Sequence, residues 1–142
     1  MIALIVAREP FLRLPLSSPA EALGRALVEV LNAFGPCIDL GWKERSAHWK
    51  KLLQSVGIRS GRQLQQRAVC CSVSRDAQGI MIRPSRNGGT AGNRSGFSQN
   101  GTAFTILPGS SPAEIGEALI KGFALCTSIY NQDPKTKNEF CK

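Results

Sequence analysis

The chain has 142 residues and a formal net charge of +8, with 42% hydrophobic and 20% charged residues. This length suits one domain with its own core, and this composition excludes general disorder. The apolar run from Ile2 to Ala7 is too short to cross a bilayer and lacks the basic start and cleavage site of a signal peptide. We therefore expect a cytoplasmic protein without a membrane segment.

The first half of the chain predicts two short strands, or one bent strand, followed by helices. Residues 2–15 form two β-rich runs interrupted at Arg8-Glu9-Pro10, and residues 19–34 carry apolar side chains at helical spacing. A second helix is expected to begin with Ser46 as its N-cap and to end at Gly57. Residues 60–67 predict one short helical turn.

The second half predicts a hairpin, a strand and a final helix. Two β-rich runs flank the turn sequence at 76–79, and a Gly/Asn/Ser stretch occupies 87–101. A strand at 102–108 leads to a helix from Pro112 to about Tyr130. This order predicts a single α+β domain over residues 1–130, an antiparallel sheet packed against about three helices on one side, with a polar tail at 131–142.

Two stretches of the chain begin with the same five residues, SSPAE: SSPAEALGRALVEVL at 17–31 and SSPAEIGEALIKGF at 110–123. Each predicts a Ser N-cap (Ser18 or Ser111), a Pro at the first helical position and a Glu at the third, which together make a capping box. Gly24 and Gly116 align when one residue is skipped. A repeated helix start explains the likeness, and duplication is not required.

The positive charge is concentrated in the middle of the chain. Residues 43–94 hold eleven Lys or Arg against two acidic residues, a net of +9, whereas the rest of the chain has a net of −1. Such a block can attract phosphate groups or an acidic protein patch, or it can be a solvated face. Most of these residues are Arg, which pairs well with carboxylates and with phosphates, so charge alone does not select the partner.

No motif in the sequence supports catalysis, a cofactor or a metal ion. His48 is the only histidine, the Gly-rich stretch lacks the Lys-Ser/Thr that completes a phosphate-binding loop, and no cysteine pair has zinc-site spacing. The five cysteines are expected to be reduced and mostly buried. Trp42 and Trp49 flank basic residues and could stack on single-stranded nucleic acid, but their spacing of seven favours a core or anchoring role on one helix face.

The order of several weak motifs resembles that of the immunity proteins of contact-dependent growth inhibition (CDI) systems, of the CdiI type. The resembling segments are HWKKLLQSVGIRSGRQLQQRAVCCSVSRDAQGIMIRPSRN at 48–87 and FTILPGSSPAEIGEALIKGF at 104–123. The positions that carry the resemblance are Trp49, Leu52, Leu53, Gly57, Ser60, Pro84, Asn87 and the run from Ser111 to Leu119.

This resemblance implies a non-catalytic cytoplasmic antitoxin. Its partner would be the C-terminal toxin domain of a neighbouring cell's exported effector, often a nuclease acting on tRNA. Inhibitors of nucleases are frequently acidic, so a basic chain implies an acidic toxin surface or a basic block that faces away from the toxin. We expect the toxin contacts to include Lys50, Lys51, Arg83, Arg86, Asn87 and Arg94.

Two other functions fit the same basic block. One is a small RNA-binding module, which would bind generic RNA with steep salt dependence. The other is a nuclease that depends on His48, although no acidic or histidine partner for its chemistry can be named.

Overall fold

The structure of the protein is a computed structural model that describes residues 2–5, 12–33 and 42–131. Its helices are α1 (Ala20–Ala33), α2 (Trp42–Ser55), α3 (Gly61–Arg67) and α4 (Pro112–Leu125). Its strands are β1 (Ile2–Ile5), β2 (Leu12–Pro15), β3 (Cys71–Asp76), β4 (Gly79–Asn87), β5 (Phe97–Gln99), β6 (Phe104–Ile106) and β7 (Thr127–Ser128), and a 3-10 turn follows at Ile129–Asn131. The predicted α+β fold is confirmed, with one helix more than expected within the described residues. The predicted strand break at 8–10 and nearly all of the polar tail lie outside them.

Strand β4 is the centre of the larger sheet. It pairs antiparallel with β3, β5 and β6, and its last two residues pair with β7, which runs parallel to it. The sheet is therefore mixed, whereas the sequence predicted antiparallel strands only. Strands β1 and β2 form a separate antiparallel pair.

The β3–β4 hairpin has the predicted two-residue turn. The Oδ1 atom of Asp76 accepts a hydrogen bond from the Gln78 N–H at 2.8 Å, and the strands continue on either side. Gly79 has a φ of +130°, and a Cβ atom there would lie 2.0 Å from the carbonyl oxygen of Ile106 on the neighbouring strand β6. Only glycine fits this conformation and this close approach.

The core lies between β4 and the helices α1 and α4. Because side chains alternate along a strand, Ile80 and Ile82 point to the same face of the sheet. They join buried side chains of the two helices in one apolar cluster, which consists of Ala26, Leu27, Val30, Ile80, Ile82, Ile115 and Leu119. Helix α3 lies at the far end of β4, where Asn87 bonds to it.

Two predicted helix boundaries are wrong. Helix α2 begins at Trp42, so Ser46 lies inside the helix and is not its N-cap. No residue between Trp42 and Ser46 interrupts a helix. Glu44 lies in the first turn, where its negative charge is stabilised by the helix dipole. Helix α4 ends at Leu125 and not near Tyr130, because the next residues pair with β4 as β7.

The other end of α2 matches its prediction. Gly57 has a φ of +70°, its N–H donates to Gln54 O at 3.2 Å, and the Ile58 N–H donates to Leu53 O at 3.0 Å. These are the hydrogen bonds of a glycine-terminated helix. None of the helices in the described segments is long and apolar enough to cross a membrane.

Candidate functional site

A shallow, open cleft lies between α2, α3 and the Gly-rich segment that follows β4. It has a volume of about 370 Å³ and is lined by Trp49, Gly61, Arg62, Gln65, Gly89, Thr90, Ser95 and Gly96. Trp49 supplies a large apolar surface and Arg62 a positive charge, while glycine backbone and two hydroxyl groups complete the wall. An aromatic ring beside a cation and hydrogen-bonding backbone is typical of protein-binding surfaces.

The Gly-rich wall of the cleft, residues 88–96, is closed on itself by backbone hydrogen bonds. The Gly88 N–H donates to Gly96 O, and the Gly96 N–H donates to Gly89 O, each at 2.9 Å. A Cβ atom on Gly88 would lie 1.6 Å from the carbonyl oxygen of Arg94, so this crossing of the chain requires glycine. The wall therefore has a defined conformation although residues 90–95 are exposed.

Asn87 joins β4, α3 and the Gly-rich wall. Its Nδ2 donates to the carbonyl oxygens of Gln65 and Ala68 at 2.5 and 3.1 Å. Its Oδ1 accepts from Gln65 Nε2 at 2.6 Å and from the Gly89 N–H at 3.0 Å. With 1% of its surface exposed, the side chain cannot touch a partner in this conformation. Asn87 is therefore a positioning residue and not the direct toxin contact that the sequence suggested.

The remaining predicted contacts lie on three separate parts of the molecule. Lys50 and Lys51 are exposed on α2, and Arg94 is exposed in the Gly-rich wall, directly before the cleft residue Ser95. Arg83 and Arg86 are three residues apart on β4, so their side chains leave opposite faces of the sheet. Arg83 donates to Ser74 Oγ at 2.8 Å. One rigid partner surface can cover the α2 and Arg94 positions together, but not both arginines of β4.

The two tryptophans are more exposed than the sequence indicated. Trp42 is 80% exposed and Trp49 is 43% exposed, although both lie on the helix face that was predicted to pack inward. The prediction of a core role is wrong for Trp42. The sequence contains a signal for the exposure of Trp42, since the residues three and four positions later on the same helix face, Arg45 and Ser46, are polar.

The described residues offer no metal cluster. Within 2–5, 12–33 and 42–131, no group of three or more His, Cys, Asp or Glu side chains is placed to hold a metal ion. His48 is partly exposed on α2, one residue before Trp49 and away from the lining of the cleft.

Comparison with protein families gives one decisive match. The family model described as CdiI, CDI immunity protein, matches residues 39–126, which is more than half of the chain. The chain belongs to the CDI immunity protein family. Membership implies an immunity protein to a CDI toxin, and it confirms the resemblance found in the sequence. Proteins of this family are generally not enzymes.

A solved structure supports the fold of this immunity-family chain. It is a protein of unknown function, NMB0488, from Neisseria meningitidis, with a TM-score of 0.65 and 19% sequence identity. The similarity covers 82% of this chain and 77% of that one. No curated protein matches the sequence.

The CDI immunity match covers the cleft and all of its walls. It starts before α2 and ends at Cys126, just after α4. Strands β1 and β2 and helix α1 precede the matched range. Helix α1 nevertheless supplies Leu27 and Val30 to the core, so the matched segment alone leaves that core incomplete.

A pair of thiols in the immunity-family fold lies beside the end of α4. The Sγ atoms of Cys71 and Cys126 are 3.5 Å apart, and Cys126 Sγ is 3.3 Å from the carbonyl oxygen of Cys70. The hydrogen bond from Cys71 lowers the pKa of Cys126 to about 7 and raises the pKa of Cys71. Burial raises the pKa of Cys70. These three cysteines are partly buried and form no disulfide bond with one another, while Cys37 and Cys141 lie outside the described residues.

Proposed function

We propose that this chain neutralises a CDI effector by binding its C-terminal toxin domain, and that this domain is a nuclease that acts on tRNA. The family match over residues 39–126 is the observation that carries the proposal. The nuclease activity is what the resemblance to CdiI-type proteins implies for their toxins. The proposed role is stoichiometric inhibition in the cytoplasm, without catalysis by the chain itself.

The proposed contact surface is the α2 side of the cleft together with the Gly-rich wall. Lys50, Lys51 and Arg94 belong to it, and Asn87 holds the wall against α3. Between Trp42 and Arg67 the chain has seven Lys or Arg and one acidic residue, Glu44. A surface of this charge complements an acidic toxin surface and would speed association with it.

We expect the gene immediately upstream to encode a large exported protein, and the test uses the C-terminal domain of that protein. We expect a 1:1 complex by calorimetry and protection of total tRNA from cleavage when the chain is present. A toxin domain from an unrelated CDI system serves as the control for general charge attraction. Absence of a complex with the upstream domain, together with unprotected tRNA, would overturn the proposal.

The contributions of the individual basic residues to toxin binding can be separated by charge-reversal substitutions. The double variant Lys50→Glu/Arg94→Glu should weaken toxin binding, because both positions border the cleft. Arg83→Glu and Arg86→Glu are made singly, since the two side chains lie on opposite faces of the sheet. At most one of these two should weaken binding. Losses of similar size in both would contradict a single contact face.

A second function, RNA binding, is favoured by the exposure of Trp42 and Trp49 beside Lys43 and Lys50. Aromatic rings that alternate with basic side chains can stack on unpaired nucleotides. A gel-shift titration with total RNA at about 150 mM salt separates the two functions, because non-specific RNA binding falls steeply with salt. A stable RNA complex that competes with the toxin domain would favour this second function.

A further inference from the structure

The face of α2 that packs inward near its C-terminal end continues toward its N-terminal end, beyond the core of the protein. At the C-terminal end of the helix, Leu52 and Leu53 are buried, each with 8% exposure. Trp49 lies four residues before Leu53, and Trp42 lies a further seven residues back, so all three share one helix face. The same face that packs inward at one end therefore carries two exposed indoles at the other. Arg45 and Ser46 lie between the two indoles on this face, so the rings are exposed aromatic side chains within a polar surface. Aromatic residues exposed in this way are enriched at docking surfaces.

Trp49 is held in place by its neighbour α3. A Cβ atom on Gly61 would lie 3.3 Å from Trp49 Nε1 and 3.5 Å from its Cζ2, so the indole edge lies against the first residue of α3. Helix α3 is in turn fixed by three hydrogen bonds of Asn87, two to Gln65 and one to the carbonyl oxygen of its C-cap residue Ala68. One side of the indole therefore contacts the protein while 43% of the residue stays exposed toward the cleft. A rigid aromatic anchor loses little conformational entropy when it binds.

The charges around the tryptophans indicate the chemistry of the partner. Lys43 and Lys50 form a row beside the two indoles because they have the same spacing of seven on α2. Arg62 lines the cleft together with Trp49. Two copies of this face would bring these cations together, which disfavours self-association through it. A partner that carries carboxylates is instead attracted to it.

We propose that the α2–α3 face is the docking surface for the toxin domain, with Trp42 and Trp49 as its anchors. The toxin surface is apolar at the centre, where it receives the indoles, and carries Asp or Glu side chains around that centre, where it meets Lys43, Lys50 and Arg62. This inference rests on the proposed function, since it specifies where and by which chemistry the toxin is bound. The proposal also gives the positive charge of this inhibitor a direct role, because the basic residues would face the toxin.

The test measures the affinity of the full chain for the upstream-encoded toxin domain by calorimetry. Trp42→Ala and Trp49→Ala are each expected to raise the dissociation constant at least about tenfold, as truncated aromatic anchors do. Leu107→Ala is the matched control, because Leu107 is a large apolar residue that is 74% exposed in the loop between β6 and α4. The affinity of the Leu107→Ala variant for the toxin domain should stay within about twofold of the wild-type affinity, as expected for a residue outside the contact surface.

Two further measurements keep the outcomes distinct. Arg62→Glu should slow association more than it speeds dissociation, and the difference from wild type should shrink at high salt. Trp49→Ala removes the contact between the indole and Gly61, so the unfolding midpoint is recorded for each variant. Trp42 is so exposed that its truncation should leave the midpoint unchanged.

Each result decides between the two levels of the proposal. Wild-type binding that is unaffected by both Trp replacements overturns this docking surface and leaves the immunity function standing. No binding by the wild type overturns the function itself. Trp42→Ala could also abolish RNA binding or dimer formation while leaving the toxin affinity unchanged. That result would overturn the docking surface, because RNA or a second copy of the chain would then be the partner bound by this face.

Discussion

Gly24 of α1 and Gly116 of α4 let these two helices touch through their backbones. A Cβ atom on Gly24 would lie 1.8 Å from the carbonyl oxygen of Pro112, and one on Gly116 would lie 1.7 Å from that of Ala20. Each glycine thus faces the first turn of the other helix. These glycines align in the two stretches that begin with SSPAE, so the likeness of the stretches includes a position used in helix packing.

Alanine at either glycine should force the helices apart. Gly24→Ala and Gly116→Ala are each expected to lower the free energy of unfolding by about 1–3 kcal/mol, since overpacking outweighs the gain of roughly 1 kcal/mol in helix propensity. Urea denaturation measures the change. The double variant should lose less than the two single losses combined, because the first alanine already separates the helices.

Gly122→Ala is the matched control for this contact. Its Cβ atom would meet Ile82 Cγ2 at 2.8 Å and Cys71 Sγ at 3.3 Å, and both of these are side-chain atoms that can shift. We expect a smaller loss than at Gly24 or Gly116. An equal loss at all three positions would contradict the assignment of a special backbone contact.

The two repeated serines should differ in their contribution to stability. Ser111 Oγ accepts from the Glu114 N–H at 3.2 Å and Pro112 begins α4, as predicted. Helix α1 begins one residue later than predicted, at Ala20, and the carbonyl oxygen of Pro19 accepts its first hydrogen bonds. Ser111→Ala should therefore cost about 1 kcal/mol. Ser18→Ala should cost clearly less, and thermal unfolding of both variants would reveal equal losses if this reasoning were wrong.

Sequence patterns predicted those features of the fold that depend only on residues close together in the chain. Gly57 ended α2 as expected because a residue with positive φ closes a helix efficiently. The turn after Asp76 was recognised because its residues favour a tight hairpin. The Ser60 side chain caps α3 by accepting from the Gln63 N–H, again within a few residues.

Features that depend on distant residues could not be predicted in this way. The helical pattern of α4 contains no stop signal near Leu125, and the helix ends there because Thr127 and Ser128 pair with β4. Asn87 precedes two glycines, which suggested an accessible loop, whereas its bonds reach residues 19 and 22 positions away. The cleft itself joins residues from Trp49 to Gly96, so only the folded chain brings them together.

Asn87 should contribute strongly to stability for a polar residue. Asn87→Ala removes four hydrogen bonds and leaves the carbonyl oxygens of Gln65 and Ala68 without this donor. We expect a loss of about 1–3 kcal/mol, which chemical denaturation would measure. Ser98→Ala is the control on the adjacent strand β5, where the side chain is exposed, and it should change stability by less than about 0.5 kcal/mol. Similar small losses in both variants would exclude the anchoring role of Asn87.

The thiol pair at the end of α4 predicts an unusual pH dependence of cysteine reactivity. The hydrogen bond from Cys71 and backbone hydrogen bonds lower the pKa of Cys126 to about 7, so its thiolate forms at lower pH than that of an ordinary cysteine, whose pKa is about 8.5. Alkylation by iodoacetamide, followed at each cysteine by peptide mapping, should therefore rise at Cys126 with a midpoint near pH 7. Cys70 should react only at higher pH, since burial raises its pKa.

Cys71→Ala provides the decisive comparison for this pair. Without the donor 3.5 Å away, the thiolate of Cys126 loses its principal stabilisation, and the midpoint of its alkylation should move upward toward that of an ordinary thiol. Because alanine is smaller than cysteine, access of the reagent should improve at the same time. A higher midpoint with an undiminished limiting rate would therefore identify the lost hydrogen bond, and not a change in exposure, as the cause. An unchanged midpoint would exclude the pair as the source of the low pKa.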